Sequence, residues 1–112
     1  MTSHPVDRLH LSRYTQGERA LEREVLELFR TQSALYLERL TAARSEQEWK
    51  DAAHSLKGSA TAIGAWRAVA AAERAEALSG EALAEGRRPH LDEIQASIDE
   101  ANAFIAALLA DG

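Results

Sequence analysis

Apolar positions recur at helical spacing in four long segments of the chain, and polar residues suited to helix ends stand between them. Pro5, just after Ser3 and His4, suits the first turn of a short leader helix over 5–13, because its missing N–H would be unpaired there anyway. Thr15-Gln16-Gly17-Glu18 has the spacing of a capping box, in which hydroxyl and carboxylate satisfy free backbone donors, so a long helix is expected over 17–43. Leu21, Val25, Leu28 and Leu35 form one stripe on it, while Leu26, Phe29, Tyr36, Leu37 and Leu40 form a second, rotated one. Such a helix either bends near Thr31 to Ser33 or packs on two neighbours.

A second capping box, Ser45-Glu46-Gln47-Glu48, opens a helix over 45–63 that Gly64 can end in the left-handed conformation. The next, over 65–79, presents Ala65, Ala68, Val69, Ala72 and Ala75 inward, small residues that permit close helix approach. Gly80, Gly86 and Arg87-Arg88-Pro89 mark a connection that is partly helical at best, before a last helix over 89–110 with Leu91, Ile94, Ile98, Ile105 and Leu109 on one stripe. The expected fold is all-α: one domain over 1–112, an antiparallel up-and-down four-helix bundle with the short N-terminal leader as a lid.

Composition agrees. Ala, Glu, Lys, Leu and Arg fill 63 of the 112 positions and Val plus Ile only seven, a helical composition, and the length suffices for one core and excludes a two-domain enzyme. A net charge of −5 argues against a nucleic-acid partner, which needs a basic face, and favours a protein partner. With no cysteine there is no disulfide, thiolate metal site or thiol nucleophile. No stretch approaches the roughly 20 apolar residues of a membrane span, and Met1 to His10 carries charges where a signal peptide needs an apolar run, so a cytoplasmic location is expected. The methionine start and the end at Gly112 favour a free-standing protein, expected as a monomer.

The chemistry lies on the third segment. Trp49, Ala52, Ala53, Ala60 and Ile63 fall within roughly 60° of Leu56 on a helical wheel and form its core stripe, whereas His54 lies about 160° away and faces water. Gly58, one turn after His54, points outward too. A mid-helix glycine costs about 1 kcal/mol relative to alanine, and this chain uses alanine freely. Helix packing would explain a glycine aimed at the core. An outward one opens space beside the imidazole, for a bulky group on the ring or for a partner's approach. Lys57, three residues from His54, can bring an ammonium over whatever the ring nitrogen carries, or can be a plain surface cation. It is one of only two lysines against eleven arginines.

An exposed imidazole can act as nucleophile, base or metal ligand, or simply be a surface residue. Metal ligation lacks a partner at i+4, where Gly58 stands, and a convex helix face offers no pocket for a serine nucleophile. Nucleophilic attack on an incoming anionic group remains, and a phosphoryl group fits best.

Ala53-His54-Ser55-Leu56-Lys57-Gly58-Ser59-Ala60, followed by Ile63-Gly64-Ala65, closely resembles the central motif of histidine phosphotransfer (HPt) domains. Phe29, Leu37, Leu40 and Ala43 match that family's spacing upstream, and Ala75-Glu76 falls where it usually has Leu-Glu, so the likeness spans about Leu21 to Glu76. The resemblance implies a four-helix bundle whose His54 accepts a phosphoryl group from a response-regulator receiver's aspartyl phosphate and passes it to another receiver. Lys57 would stabilise the phosphate and Gly58 give clearance. Glu76 would contact the imidazole from the neighbouring helix, or be an ordinary exposed carboxylate near Arg74 or Gly80. Receivers are the implied partners, with a hybrid histidine kinase as a further one, and the receiver would bring Mg²⁺. Nothing resembles a nucleotide-binding loop, so the chain is expected to be a carrier with no bound cofactor or metal, not an enzyme that uses ATP.

Two other readings compete: a helical scaffold that keeps the fold without the chemistry, and a phosphoacceptor fragment of a hybrid or chemotaxis-type kinase, with ATP as the source. His4, His10 and His90 receive no chemistry. Trp49 is read as core, and Trp66 as a packed junction residue or an edge of the docking face.

Overall fold

A computed structural model describes residues 4–110, which form helices α1 (Arg8–Thr15), α2 (Arg19–Ala42), α3 (Glu46–Ala62), α4 (Trp66–Glu76) and α5 (Gly80–Ala110). Met1, Ser3 and Gly112, named above, lie outside the described residues. Helix α2 packs on α3, α3 on α4, α4 on α5, and α5 returns to α2, closing an all-α bundle that α1 joins along α2. The 31 residues of α5, at about 1.5 Å each, account for the molecule's 45 Å long axis.

One half of the core gathers Leu40, Trp49, Leu56, Ala72, Ile94 and Ile98, and the other, at the α1 end, holds Val6, Leu11, Leu26, Phe29, Ile63 and Ile105. Ala68, Ala71, Ala72 and Ala75 are the buried residues of α4. With only methyl groups there, α4 comes close to α3, which brings the two helices' exposed flanks within side-chain reach of each other. Of the two stripes on α2, Leu26, Phe29 and Leu40 are buried, whereas Leu21, Leu28 and Leu35 are exposed. The helix runs unbroken through Thr31 to Ser33 and packs on α3 and α5, with α1 as a third neighbour.

Several element boundaries differ from expectation; α4, expected to run to residue 79, ends at Glu76, and the leader runs on to Thr15 instead of ending at residue 13. The leader begins at Arg8 rather than Pro5, because Asp7 is its N-cap and accepts from the His10 N–H at 3.0 Å. Thr15-Gln16-Gly17-Glu18 ends α1 instead of capping α2. Thr15 is buried and donates to the Leu11 carbonyl at 3.0 Å, and Gln16 and Gly17 are both left-handed (φ 58° and 75°), a conformation that stops a helix. Glu18 then stands at the α2 N-cap without a side-chain capping bond.

The last helix starts at Gly80, not Pro89. Pro89 removes one backbone donor and disfavours a helix interior by about 3 kcal/mol, but this stretch is anchored from outside. Arg87 donates to the Leu40 and Thr41 carbonyls at the end of α2 (3.1 and 2.9 Å) and lies over the Trp49 ring at 5.4 Å, while Leu83 packs on the core. Glu81 to Glu85 are good helix formers, so local preference and tertiary anchoring together carry the helix through the proline.

Candidate functional site

Helix α3 presents the site because its start is tightly set. Ser45 Oγ accepts from the Glu48 N–H at 3.1 Å, and Glu48 Oε1 accepts from the Arg44 N–H at 2.9 Å. Trp49, Ala53, Leu56 and Ala60 are then fully buried, which fixes the helix's rotation and turns the opposite face outward. The His54 side chain is 71% exposed on that face.

Its Nδ1 lies 3.1 Å from Oε2 of Glu76, the last residue of α4. An ionised carboxylate can only accept, so Nδ1 is the donor in this contact, and in the neutral ring the lone pair then lies on Nε2. Exposed pairs of this kind contribute about 0–1 kcal/mol to stability; the consequence of this one is the orientation and tautomer of the ring. The neighbours that would have made Glu76 an ordinary surface carboxylate are engaged elsewhere: Arg74 pairs with Glu93 at 3.0 Å, and the Gly80 N–H donates to Glu46 at 2.9 Å.

Lys57 Nζ lies 3.3 Å from Glu73 Oε2, one turn before Glu76 on α4. A Cβ built on Gly58 would meet nothing within 4 Å, so no packing in the bundle requires the glycine. His54, Lys57, Gly58 and Glu76 thus share one surface: an exposed imidazole, an ammonium one turn away paired with Glu73, and a bare position beside both.

Two residues of this surface were not singled out from the sequence. Glu73 is one, and its i, i+3 spacing to Glu76 could have revealed a pair of carboxylates facing α3. Lys50 is the other. It donates through Nζ to the carbonyls of Glu76 and Leu78, at 2.8 and 2.9 Å.

The remaining histidines lie away from this surface. His10 bonds the Thr61 carbonyl through Nε2 at 2.7 Å and meets the Trp66 ring edge-on at 4.8 Å, and His90 Nδ1 bonds the Gly86 carbonyl at 2.7 Å. His4 lies against Phe104, with ring centroids 5.6 Å apart. Trp66 is both junction residue and half-open surface: it is 44% exposed, and its Nε1–H donates to Asp7 at 3.0 Å. That bond, followed by the His10 backbone N–H, holds the Asp7 carboxyl below the usual carboxylate range. Among the described residues no cluster of three or more His, Cys, Asp or Glu could hold a metal, and no helix is long and apolar enough to cross a membrane.

Residues 24–104 match the family model described as Hpt domain. The crystal structure of the histidine phosphotransferase ShpA from Caulobacter crescentus is similar, with a TM-score of 0.72 and 32% sequence identity over 96% of this chain and 92% of that one. Among curated proteins, none matches.

Proposed function

Since the chain belongs to the Hpt domain family, we propose that it is a phosphorelay carrier in which His54 Nε2 takes a phosphoryl group from a receiver's aspartyl phosphate and gives it to a second receiver. The observation that carries this reading is the 3.1 Å contact between Nδ1 and Glu76 on a side chain otherwise open to solvent. It leaves one ring nitrogen nucleophilic and gives the other a partner for the positive charge that develops as the ring is phosphorylated.

In the step itself, the Nε2 lone pair forms the N–P bond while the P–O bond to the receiver's aspartate breaks and the carboxylate leaves with that electron pair. The Nδ1 hydrogen stays between ring and Glu76. Lys57 exchanges Glu73 for the phosphoryl oxygens. Gly58 leaves room for them and for the receiver's active-site loops. Phosphoryl transfer proceeds through a loose, charge-rich transition state, so positioning and charge are most of what the carrier must contribute. Mg²⁺ belongs to the receiver. No residue of this chain is assigned to ATP, and the carrier works as a cytoplasmic monomer.

The docking face is the outer side of α3. Ser59 donates to Gln32 of α2 at 3.1 Å, so the exposed Leu28 and Leu35, one turn either side of Gln32, border that face and give a receiver apolar surface beside the polar site. A phosphorylated receiver incubated with the protein should transfer an acid-labile label, and His54→Gln should abolish the transfer. Label retained by His54→Gln would overturn the site, and failure of every receiver tried would favour a scaffold that keeps the fold without the chemistry.

A further inference from the structure

Glu76 reaches His54 from an insecure place. It is the last residue of an 11-residue helix, where carbonyls lack intrahelical partners and ends fray. The usual remedy, a left-handed residue just past the helix, is missing: Ala77 is right-handed (φ −74°, ψ −14°), and no positive φ occurs between Ala77 and Gly80. Backbone bonds close part of this turn, from the Ala77 N–H to the Glu73 carbonyl at 3.1 Å and from the Leu78 N–H to the Ala75 carbonyl at 3.2 Å, and side chains from α3 supply the further donors. Trp49 Nε1–H donates to the Ala75 carbonyl at 2.7 Å, and the half-buried Lys50 Nζ donates to those of Glu76 and Leu78 at 2.8 and 2.9 Å. An ammonium at a helix C-terminus also opposes the negative end of the helix dipole.

Lys50 stands one turn before His54 on α3. One rigid helix therefore carries both the imidazole and the cation that fastens the backbone of the imidazole's partner. We propose that Lys50 is a positioning residue for His54: by closing the end of α4 it holds the Glu76 carboxylate on Nδ1, and so keeps Nε2 free as the nucleophile. This rests on the reading of His54 as the phosphoryl acceptor. It assigns the chain's two lysines different tasks. Lys57 serves the incoming phosphate. Lys50 is committed to carbonyl oxygens and does not touch the reacting group.

The test uses Lys50→Met, which keeps the stem and removes the donors, and Lys50→Arg, which restores two donors. The tautomer of His54 is read from its ¹⁵N ring shifts at alkaline pH, where an ordinary imidazole is neutral. The ratio of Nδ1–H to Nε2–H forms should fall roughly three- to tenfold in Lys50→Met, the equilibrium weight of one hydrogen bond. Transfer from a phosphorylated receiver should slow by about tenfold, at the low end of what losing an outer partner costs, and Lys50→Arg should recover both. In a Glu76→Ala background, Lys50→Met should change neither.

Wild-type tautomer ratio and rate in a folded Lys50→Met would overturn the proposal, as would an equal slowing with and without Glu76, which is the signature of a merely structural lysine. If Lys50→Met loses its helicity, Lys50→Gln, which removes the charge and shortens the reach to the carbonyls, carries the same comparison. The tautomer measurement needs no phosphate. A wild-type protein that accepts no label therefore defeats the carrier reading while leaving the clamp to be judged on its own.

Discussion

Replacing Gly58 with alanine should stabilise the protein, and replacing it with leucine should cripple transfer without unfolding anything. An added Cβ meets no atom within 4 Å, so the alanine variant suffers no clash and gains the helix preference of alanine over glycine, about 0.8–1 kcal/mol. For a domain near one hundred residues this raises Tm by roughly 4–6 °C. Leucine is nearly as good a helix former and should also melt above the wild type. Its side chain, however, projects beside His54 into the path of the incoming receiver. Displacing reacting atoms by about 1 Å can cost on the order of a hundredfold in rate, so leucine should slow transfer by about that factor and alanine by less. Thermal melts followed by circular dichroism and single-turnover transfer from a labelled receiver supply the two numbers. Opposite movement of stability and rate would show that the glycine serves the encounter and not the fold. Alanine melting below wild type would refute the stability half of this reasoning, and leucine transferring at the wild-type rate would refute the clearance half.

Glu73→Gln should change stability by less than about 1 kcal/mol, because its ion pair with Lys57 is exposed. Releasing Lys57 should shift the transfer equilibrium toward the phosphohistidine by up to about fivefold; an unmoved equilibrium, read from label partition at several receiver ratios, would remove Lys57 from phosphate binding. Arg87→Ala should cost roughly 1–3 kcal/mol in urea unfolding, since it strips two carbonyls of their donor and uncovers Trp49. A loss below about 0.5 kcal/mol would mean that the helix crosses Pro89 without that anchor. The Asp7 carboxyl is held below its usual range by Trp66 and then by the His10 N–H, so its contribution to docking α1 is complete above the ordinary carboxylate range and is lost as pH falls through the lowered folded value. The Trp66 indole N–H resonance should move only in that acidic window, and Asp7→Ala should abolish the movement; titration at or above the ordinary range would contradict the contact.

The core stripe of α3 was legible because Trp49, Ala53, Leu56 and Ala60 repeat at helical spacing, and once they are buried the outward direction of His54 and Gly58 follows. Of the two rotated stripes on α2, the sequence alone could not say which would be buried, since that depends on where α3 and α5 lie. The Thr15 to Glu18 box misled because its spacing carries no record of Gln16 and Gly17 turning left-handed, which converts a start signal into a stop. Pro89 misled for a related reason. The contacts that offset its penalty come from Leu40, Thr41 and Trp49, more than forty residues away for the two carbonyls and about forty for the ring. At the site, local spacing pointed to His54, Lys57 and Gly58 within one helix. The roles of Glu73 and Lys50 depend on the approach of α4, which small alanines permit but no single-helix pattern encodes.

Most direct of all is to locate the phosphorus after exchange with a phosphorylated receiver, by NMR of the ¹⁵N-labelled protein. Bonding to Nε2 of His54, with the Nδ1 hydrogen retained and no label in His54→Gln, is the expected result. Phosphorus on Nδ1, on another of the four histidines, or on no residue of the chain would contradict it.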